Sequence, residues 1–253
     1  MAHPAKKTRK DSASEKPRRV ASKEERRSQL IRATIQSIAI HGIAGTTMGT
    51  VTGFAGLSMG IVNFHFDSKE NLFQETLRHL AAEHRDQWQS AIDDPSLSPA
   101  QKLWAMVEAE FDPVISGRER LAVWSAFYGE AGYRAHYRRI MTDIDGERWD
   151  TICDLARKIP GPAWSPEAVA DTIEALFDGF CLHIQIYPDD MTSARALDRV
   201  RAYLDGVFPG QFPAEMAARD GQALQPSAPE AANANAAASP PAATAKTGTA
   251  SKG

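Results

Sequence analysis

Thr46, Thr47 and Ser58 each stand just ahead of a short run with helical spacing, and each has a side-chain oxygen that can accept from the unpaired amides of a first helical turn. A helix N-terminus offers free N–H groups and a partial positive charge, which makes these three positions suited to a phosphate. Arg26 and Arg27 begin a helix a little upstream and bring two guanidiniums to the same region. A second chemistry lies between about 98 and 187. There Trp104, Phe111, Trp124, Phe127, Tyr128 and Phe177 are interleaved with Glu108, Glu110, Asp112, Glu130, Asp143, Asp145, Glu174 and Asp178. Trp124, Phe127 and Tyr128 are three and four apart, so they share a helix face. Aromatic faces beside a carboxylate suit a quaternary ammonium or another organic cation. A helical bundle also needs aromatic residues for its core, and spacing alone leaves both roles open.

Bond-making chemistry finds no support. The chain has no G-x-S-x-G elbow, no G-x-x-x-x-G-K-[ST] phosphate loop, and no strand leading into G-x-G-x-x-G, so neither an enzyme nor a cofactor is expected. Glu75, His79, Glu83 and His84 are the nearest approach to a metal cluster. His79 and Glu83 share a face at i,i+4, but two ligands do not make a site, and a solvated helix face is the reading adopted. Cys153 and Cys181 read as reduced core thiols.

The elements that must position these residues are helical throughout. Thr46 and Thr47 cap a short helix to about Ala55, with Met48, Val51 and Phe54 inward. Gly56 supplies the left-handed backbone of a tight turn, and Ser58 caps a second short helix, Met59 to about His65. Gly49 and Gly53 each cost the first of these about 1 kcal/mol against Ala, so it must lean on tertiary packing. Two short helices crossing steeply form a helix-turn-helix, whose second helix lies in a DNA major groove. Upstream, Ser22 and Glu25 make a capping box for a helix that Gly42 ends. Downstream, Ser68 caps a helix of over twenty residues, broken at Asp94-Pro95. Further helices follow from Ser98-Pro99, about Arg118, Tyr133 to Lys158, Ser165-Pro166 and Thr192. The apolar stripes Ile173, Leu176, Phe177 and Phe180, and Leu197, Val200, Tyr203 and Leu204, either close the chain's own core or pair two copies. Pairing is the reading adopted, with Gly179 allowing close helix approach.

The run Ala55-Gly56-Leu57-Ser58-x-Gly60, followed by Phe66-x-Ser68-Lys69-Glu70-x-Leu72, resembles the DNA-binding domain of TetR-family transcriptional regulators. Ile61-Val62 before Asn63-Phe64-His65-Phe66 is most similar to the choline-responsive BetI branch. The family usually has Tyr-x-Tyr/His-Phe where this chain has Asn63-Phe64-His65-Phe66. The resemblance implies an all-α fold with a three-helix reading domain over 22–67 and a ligand-binding, dimerising bundle over 68–210. It places base or backbone contacts on Ser58, Met59, Gly60, Asn63, Phe64 and His65, and a phosphate on Lys69. An amide can pair with both edge groups of adenine, which makes Asn63 the best base reader of the set. Phe64 divides evenly between contact and core, whereas Phe66 reads as core. The implied protein is a homodimeric regulator, by default a repressor released from its double-stranded DNA operator by a small-molecule effector such as choline.

Charge and composition agree with that picture. In a chain of 253 residues with net charge −3, residues 1–27 hold ten Lys/Arg against four Asp/Glu. They carry +6, which leaves −9 on the remainder. A basic arm over 1–21 faces phosphates or simply solubilises. The Ala/Pro-rich stretch from 211 to 253 is expected to be disordered. No apolar run is long enough to span a bilayer and no secretory signal opens the chain, so a cytoplasmic protein with no membrane partner is expected. The competing reading is a helical ligand-binding or adaptor protein in which the motif no longer recognises DNA sequence.

Overall fold

In the computed structural model the described residues, 22–161, 164–213 and 216, form ten helices and no strand. The expected basic arm and nearly all of the expected tail lie outside these residues. Helix α1 (Lys23–Gly45) opens on the capping box, with Ser22 Oγ accepting from the Glu25 amide at 3.1 Å. Gly42, at φ 68°, interrupts it in a conformation that a Cβ would strain. Helix α2 (Met48–Ala55) is capped by Thr47, whose hydroxyl and that of Thr50 accept each other's backbone N–H. Gly56 takes the left-handed turn at φ 62°, and the Leu57 amide reaches back to the Thr52 carbonyl. Helix α3 (Met59–His65) begins at Ser58, and α4 (Lys69–Ile92) begins at Ser68, which accepts from the Asn71 amide at 3.0 Å. At 24 residues α4 spans about 36 Å.

The remaining helices are α5 (Pro99–Glu110), α6 (Pro113–Ser116), α7 (Arg118–Ala131), α8 (Ala135–Lys158), α9 (Pro166–Ile186) and α10 (Ser193–Val207). The single turn α6, capped by Asp112, has no periodic pattern long enough to read from sequence. Helix α8 starts two residues later than expected, which leaves Tyr133 almost fully exposed. In α2 the inner positions are Val51 and Ala55, four apart, so Phe54 turns outward. The ordered chain also passes the expected end at 210, because Phe212 is buried beside Phe208.

Two apolar cores organise the helices. One gathers Leu30, Ile35 and Ile38 of α1, Val51, Val62, Phe66, and Leu72 to Leu80 of α4. It also takes in Val123 and Phe127 of α7 and Tyr137 and Ile140 of α8. The other joins the end of α4 to α5, the second half of α8, α9 and α10. Within this second core Ile173, Phe177, Val200 and Leu204 are fully buried by their own chain, and Leu176, Leu197, Phe180 and Tyr203 pack around them. Ile173 and Phe177 of one expected pairing stripe, and Val200 and Leu204 of the other, thus close one chain's own interior, because amphipathic helices bury their strongest apolar face first, while Leu176, Phe180, Leu197 and Tyr203 stay half-buried.

Helix α7 serves both halves of the molecule. Val123, Phe127 and Ala131 lie in the first core, while Trp124 and Tyr128, about 100° further round the helix, line a cavity; Trp124 also packs against that core. Phe127 meets Phe73 and Tyr137 edge-on, with ring centroids 6.5 and 5.3 Å away. Phe127→Ala is expected to cost about 3–5 kcal/mol of unfolding free energy. Urea titration of the purified variant checks this, and a loss below 1 kcal/mol would show that α7 is not a shared wall of that core.

Candidate DNA-reading face and acidic cavity

The outward face of α3 consists of Met59, Gly60, Asn63 and Phe64, all exposed, as two pairs four residues apart. Phe64 is 74% exposed, which settles it as a surface residue, and Met59 is 43% exposed. Val62 and Phe66 fill the core beneath. Ser58 has the extended backbone of an N-cap, but its hydroxyl makes no cap hydrogen bond, so the expected capping by Ser58 is not found. His65 is half-buried with Nδ1 enclosed and unpartnered, and its ring meets Phe64 edge-on at 5.2 Å. A Cβ on Gly60 would meet only the Ser58 hydroxyl, at 3.9 Å.

The expected phosphate contacts separate into two groups. Thr46 is fully buried: its hydroxyl donates to the Gly42 carbonyl at 2.8 Å and accepts from Ser37 at 3.1 Å. It ends α1 and cannot meet a phosphate. Thr47, by contrast, is exposed. Arg27 is committed within the chain, paired with Glu75 of α4 and lying over the Phe66 ring at 4.7 Å. Arg26 donates to Gln29 at 2.8 Å. Lys69 reaches the Ile43 carbonyl at 3.5 Å and lies 5.1 Å from the Phe73 ring, at the α1–α4 junction.

The aromatic set divides in the same way. Trp124 and Tyr128 line a cavity of about 290 Å³ bounded by α4 to α9. Trp104, Phe111, Phe127 and Phe177 do not line it. Trp104 is buried with its N–H on Glu108 at 2.6 Å and Arg201 above its ring at 4.0 Å. Phe111 and Phe177 stack on each other in the second core, and Phe127 belongs to the first. Most aromatic side chains in a bundle fill its interior, and spacing alone does not mark the few at a void.

The cavity holds a buried ionic network that sequence reasoning missed. Arg148 of α8 donates Nε to Glu174 of α9 at 2.8 Å, pairs again with Glu174 through Nη2, and reaches Glu110 of α5 at 3.3 Å. His84 of α4 lies 2.7 Å from Glu110. Burial acts to raise the Glu110 carboxyl, but His84 and Arg148 override it and hold it at about 2. Burial also opposes charge on Arg148, yet Glu110, Glu174 and Asp145 keep it protonated well above its ordinary range.

The acids nearer the cavity mouth behave in the opposite way. Burial pushes Asp145 up to about 6 against the pull of Arg148, with Glu174 and Asp178 adding to the rise. Asp178, within 3.5 Å of the Tyr128 hydroxyl, is also raised by burial. Four carboxyl groups thus face at most two cations, and the walls of Trp124, Tyr128, Leu121 and Ile115 are largely apolar. Such a space suits a cation with apolar substituents. Arg148 and His84 carried a signal in the sequence. Arg148 falls four residues from both Ile144 and Ile152, and His84 four from both Leu80 and Trp88, each on an apolar stripe. The suspected metal set disperses: His84 enters the cavity, Glu75 pairs with Arg27, and His79 faces Glu83 at 3.3 Å. Among the described residues no three His, Cys, Asp or Glu side chains gather as metal ligands do, and no helix is long and apolar enough to cross a membrane.

Residues 30–76 match the family model for bacterial regulatory proteins of the tetR family, and residues 99–209 match that for the BetI-type transcriptional repressor C-terminal part. The HTH-type transcriptional regulator BetI of Paraburkholderia xenovorans is 30% identical over 194 residues, covering 75% of this chain and 97% of the relative. That of Burkholderia thailandensis is 31% identical over 191 residues, covering 74% and 95%. Among solved structures, a Pseudomonas aeruginosa PAO1 protein assigned to transcriptional regulation superposes with a TM-score of 0.67 at 26% identity, covering 76% of this chain and 96% of that one. A Saccharomonospora viridis protein in complex with choline superposes at 0.66 over 72% of this chain and 96% of its own; at 18% identity it speaks for the fold alone.

Replacing Arg148 with Met would leave Glu110 and Glu174 in the interior without their guanidinium. The expected loss is about 3–5 kcal/mol. The exposed Arg157–Glu167 pair, removed by Arg157→Met, should cost far less, because water screens it. Chemical denaturation of both variants compares them, and equal losses would count against a network that holds the bundle together.

Proposed function

The chain belongs to the TetR family of bacterial transcriptional regulators, in its BetI branch, and on that premise we propose that it grips operator DNA as a homodimer and lets go when a small organic cation fills the acidic cavity. The observation that carries the effector reading is the pairing of Trp124 and Tyr128 with Asp145 and Asp178: among the described residues Asp178 is in no ion pair, and Asp145 reaches only Arg148, at 3.7 Å, which Glu174 and Glu110 already engage. A quaternary ammonium meets both needs, since it lies against aromatic faces and offsets the surplus negative charge. Choline, bound by the S. viridis protein, is of this class. Arg148 is already engaged by Glu174 and Glu110, so the site offers no free guanidinium to a carboxylate on the ligand.

Helix α7 supplies the route from cavity to DNA. A cation drawn against Trp124 and Tyr128 biases the position of α7, whose adjoining face packs on α1 and the helix-turn-helix core, with Trp124 itself touching that core. DNA affinity then falls by the cation's differential affinity for the two arrangements. Two reading heads are needed for two half-sites a whole number of turns apart. With Ile173, Phe177, Val200 and Leu204 consumed by the monomer, the surface left for pairing is the outward half of α9. There Ile186 is exposed, Phe180 is only half-buried and Gly179 has open space around it.

Fluorescence anisotropy of the full chain on duplex from its own upstream region tests the effector. Choline should release the DNA, while its uncharged isostere 3,3-dimethylbutan-1-ol should not. Release should weaken as pH falls from 7.5 to 5, because Asp145, raised to about 6, loses its charge over that range. Asp145→Asn should remove most of that pH dependence. Equal potency of the two compounds would discard the cation reading. The dimer surface is tested by Ile186→Glu, which should give a monomer in light scattering. A variant that stays dimeric would put the interface elsewhere.

A further inference from the structure

From Thr46 to Phe66 the chain contains no Asp, Glu, Lys or Arg over 21 residues, and His65 is its single ionisable side chain. The exposed face of α3 therefore offers to a major groove two apolar groups, Met59 and Phe64, one amide, Asn63, and the bare backbone of Gly60. Among the described residues neither apolar core includes any of these four. Phe64 meets its neighbour His65 edge-on and is approached by Lys23 at 6.0 Å, and a Cβ on Gly60 would stand in open space apart from Ser58. A phenylalanine left 74% exposed on a seven-residue helix is costly unless something outside covers it.

The edges of the base pairs narrow down what covers it. Guanine is ordinarily read in the major groove by a bidentate Arg or Lys, adenine by an Asn or Gln amide, and thymine through apolar contact with its 5-methyl group. The residues of α3 themselves supply no cation, one amide and two apolar groups; Lys23, 6.0 Å from the Phe64 ring, comes from α1. Arg27, the nearest guanidinium beneath α3, is held by Glu75 and Phe66. We infer that α3 selects A·T pairs: Asn63 pairs with an adenine edge, and Phe64 with Met59 encloses one or more thymine methyl groups. Gly60, four residues before Phe64, lets the backbone come close enough for these short side chains to reach. This rests on the DNA-binding reading above and adds the base chemistry to it.

In vitro selection by the full chain from a random duplex pool, followed by single-atom changes in the duplex, tests the inference. The enriched half-sites should be rich in A·T where α3 lies. Replacing each of their thymines in turn with uracil, which removes only the methyl group, should weaken binding at one or two positions by about fourfold, the worth of one buried methyl. Phe64→Ala should weaken binding to the thymine duplex and make the protein indifferent to uracil at one of those positions. Asn63→Ala should relax selection at one adenine by roughly tenfold. Enriched guanines under α3, or thymine and uracil duplexes bound equally by the unaltered chain, would overturn the inference while leaving DNA binding intact. A pool with no enrichment at all would overturn the DNA-binding reading, and this inference with it.

Discussion

A guanidinium buried in a helical bundle has to be paired, and Arg148 meets that requirement with partners from several helices. Its contacts with Glu174 of α9, Glu110 of α5 and, through Glu110, His84 of α4 join elements whose apolar faces alone would tolerate small shifts. The network also forms one side of the cavity. Glu110 and Glu174 are satisfied by the guanidinium, while at the mouth Asp145 shares it only at 3.7 Å, Asp178 is not paired with it, and burial makes both resist ionisation. Structural stability and ligand chemistry thus arise from one uneven distribution of charge.

Helix α7 borders both that cavity and the apolar core around α1 to α4. Val123 and Phe127 pack toward α1, while Trp124 and Tyr128, about 100° further round the helix, border the cavity, Trp124 touching both. Close-packed interiors shift as units and do not deform smoothly, so a change against one face of a single helix is passed to the other. The apolar core around α1 to α4 also includes the start of α8. The reading elements are consequently anchored to the ligand-bearing part through three helices, α4, α7 and α8.

The reading face shows the opposite economy. Where the cavity is crowded with charge, α2 and α3 have none, and the cations nearest to them are largely engaged. Arg27 is paired with Glu75, and Lys69 lies over Phe73. Recognition by such a surface depends on shape, methyl groups and a single amide more than on long-range attraction. That arrangement favours discrimination between sequences over simple adhesion to phosphate.

Much of this was legible along the chain. Capping residues and glycines fixed α1 to α4 almost to the residue, because caps and left-handed turns depend on backbone groups only a few positions away. The motif from Ala55 to Leu72 was enough to place the family, and the acidic residues around the cavity could be listed in advance. What the chain could not decide alone was which face of each periodic helix met which neighbour. Ile173, Phe177, Val200 and Leu204 carry the same pattern whether they pair two copies or close one core, and only packing showed that they close it. Trp104 and Trp124 are likewise alike in sequence terms, yet one is sealed beneath Arg201 and the other borders a void. The same holds for Thr46, a plausible cap that the fold turns inward, and Phe64, a plausible core residue that it turns out. Local hydrogen bonding is written in neighbouring residues, whereas burial is a property of the whole assembly of helices.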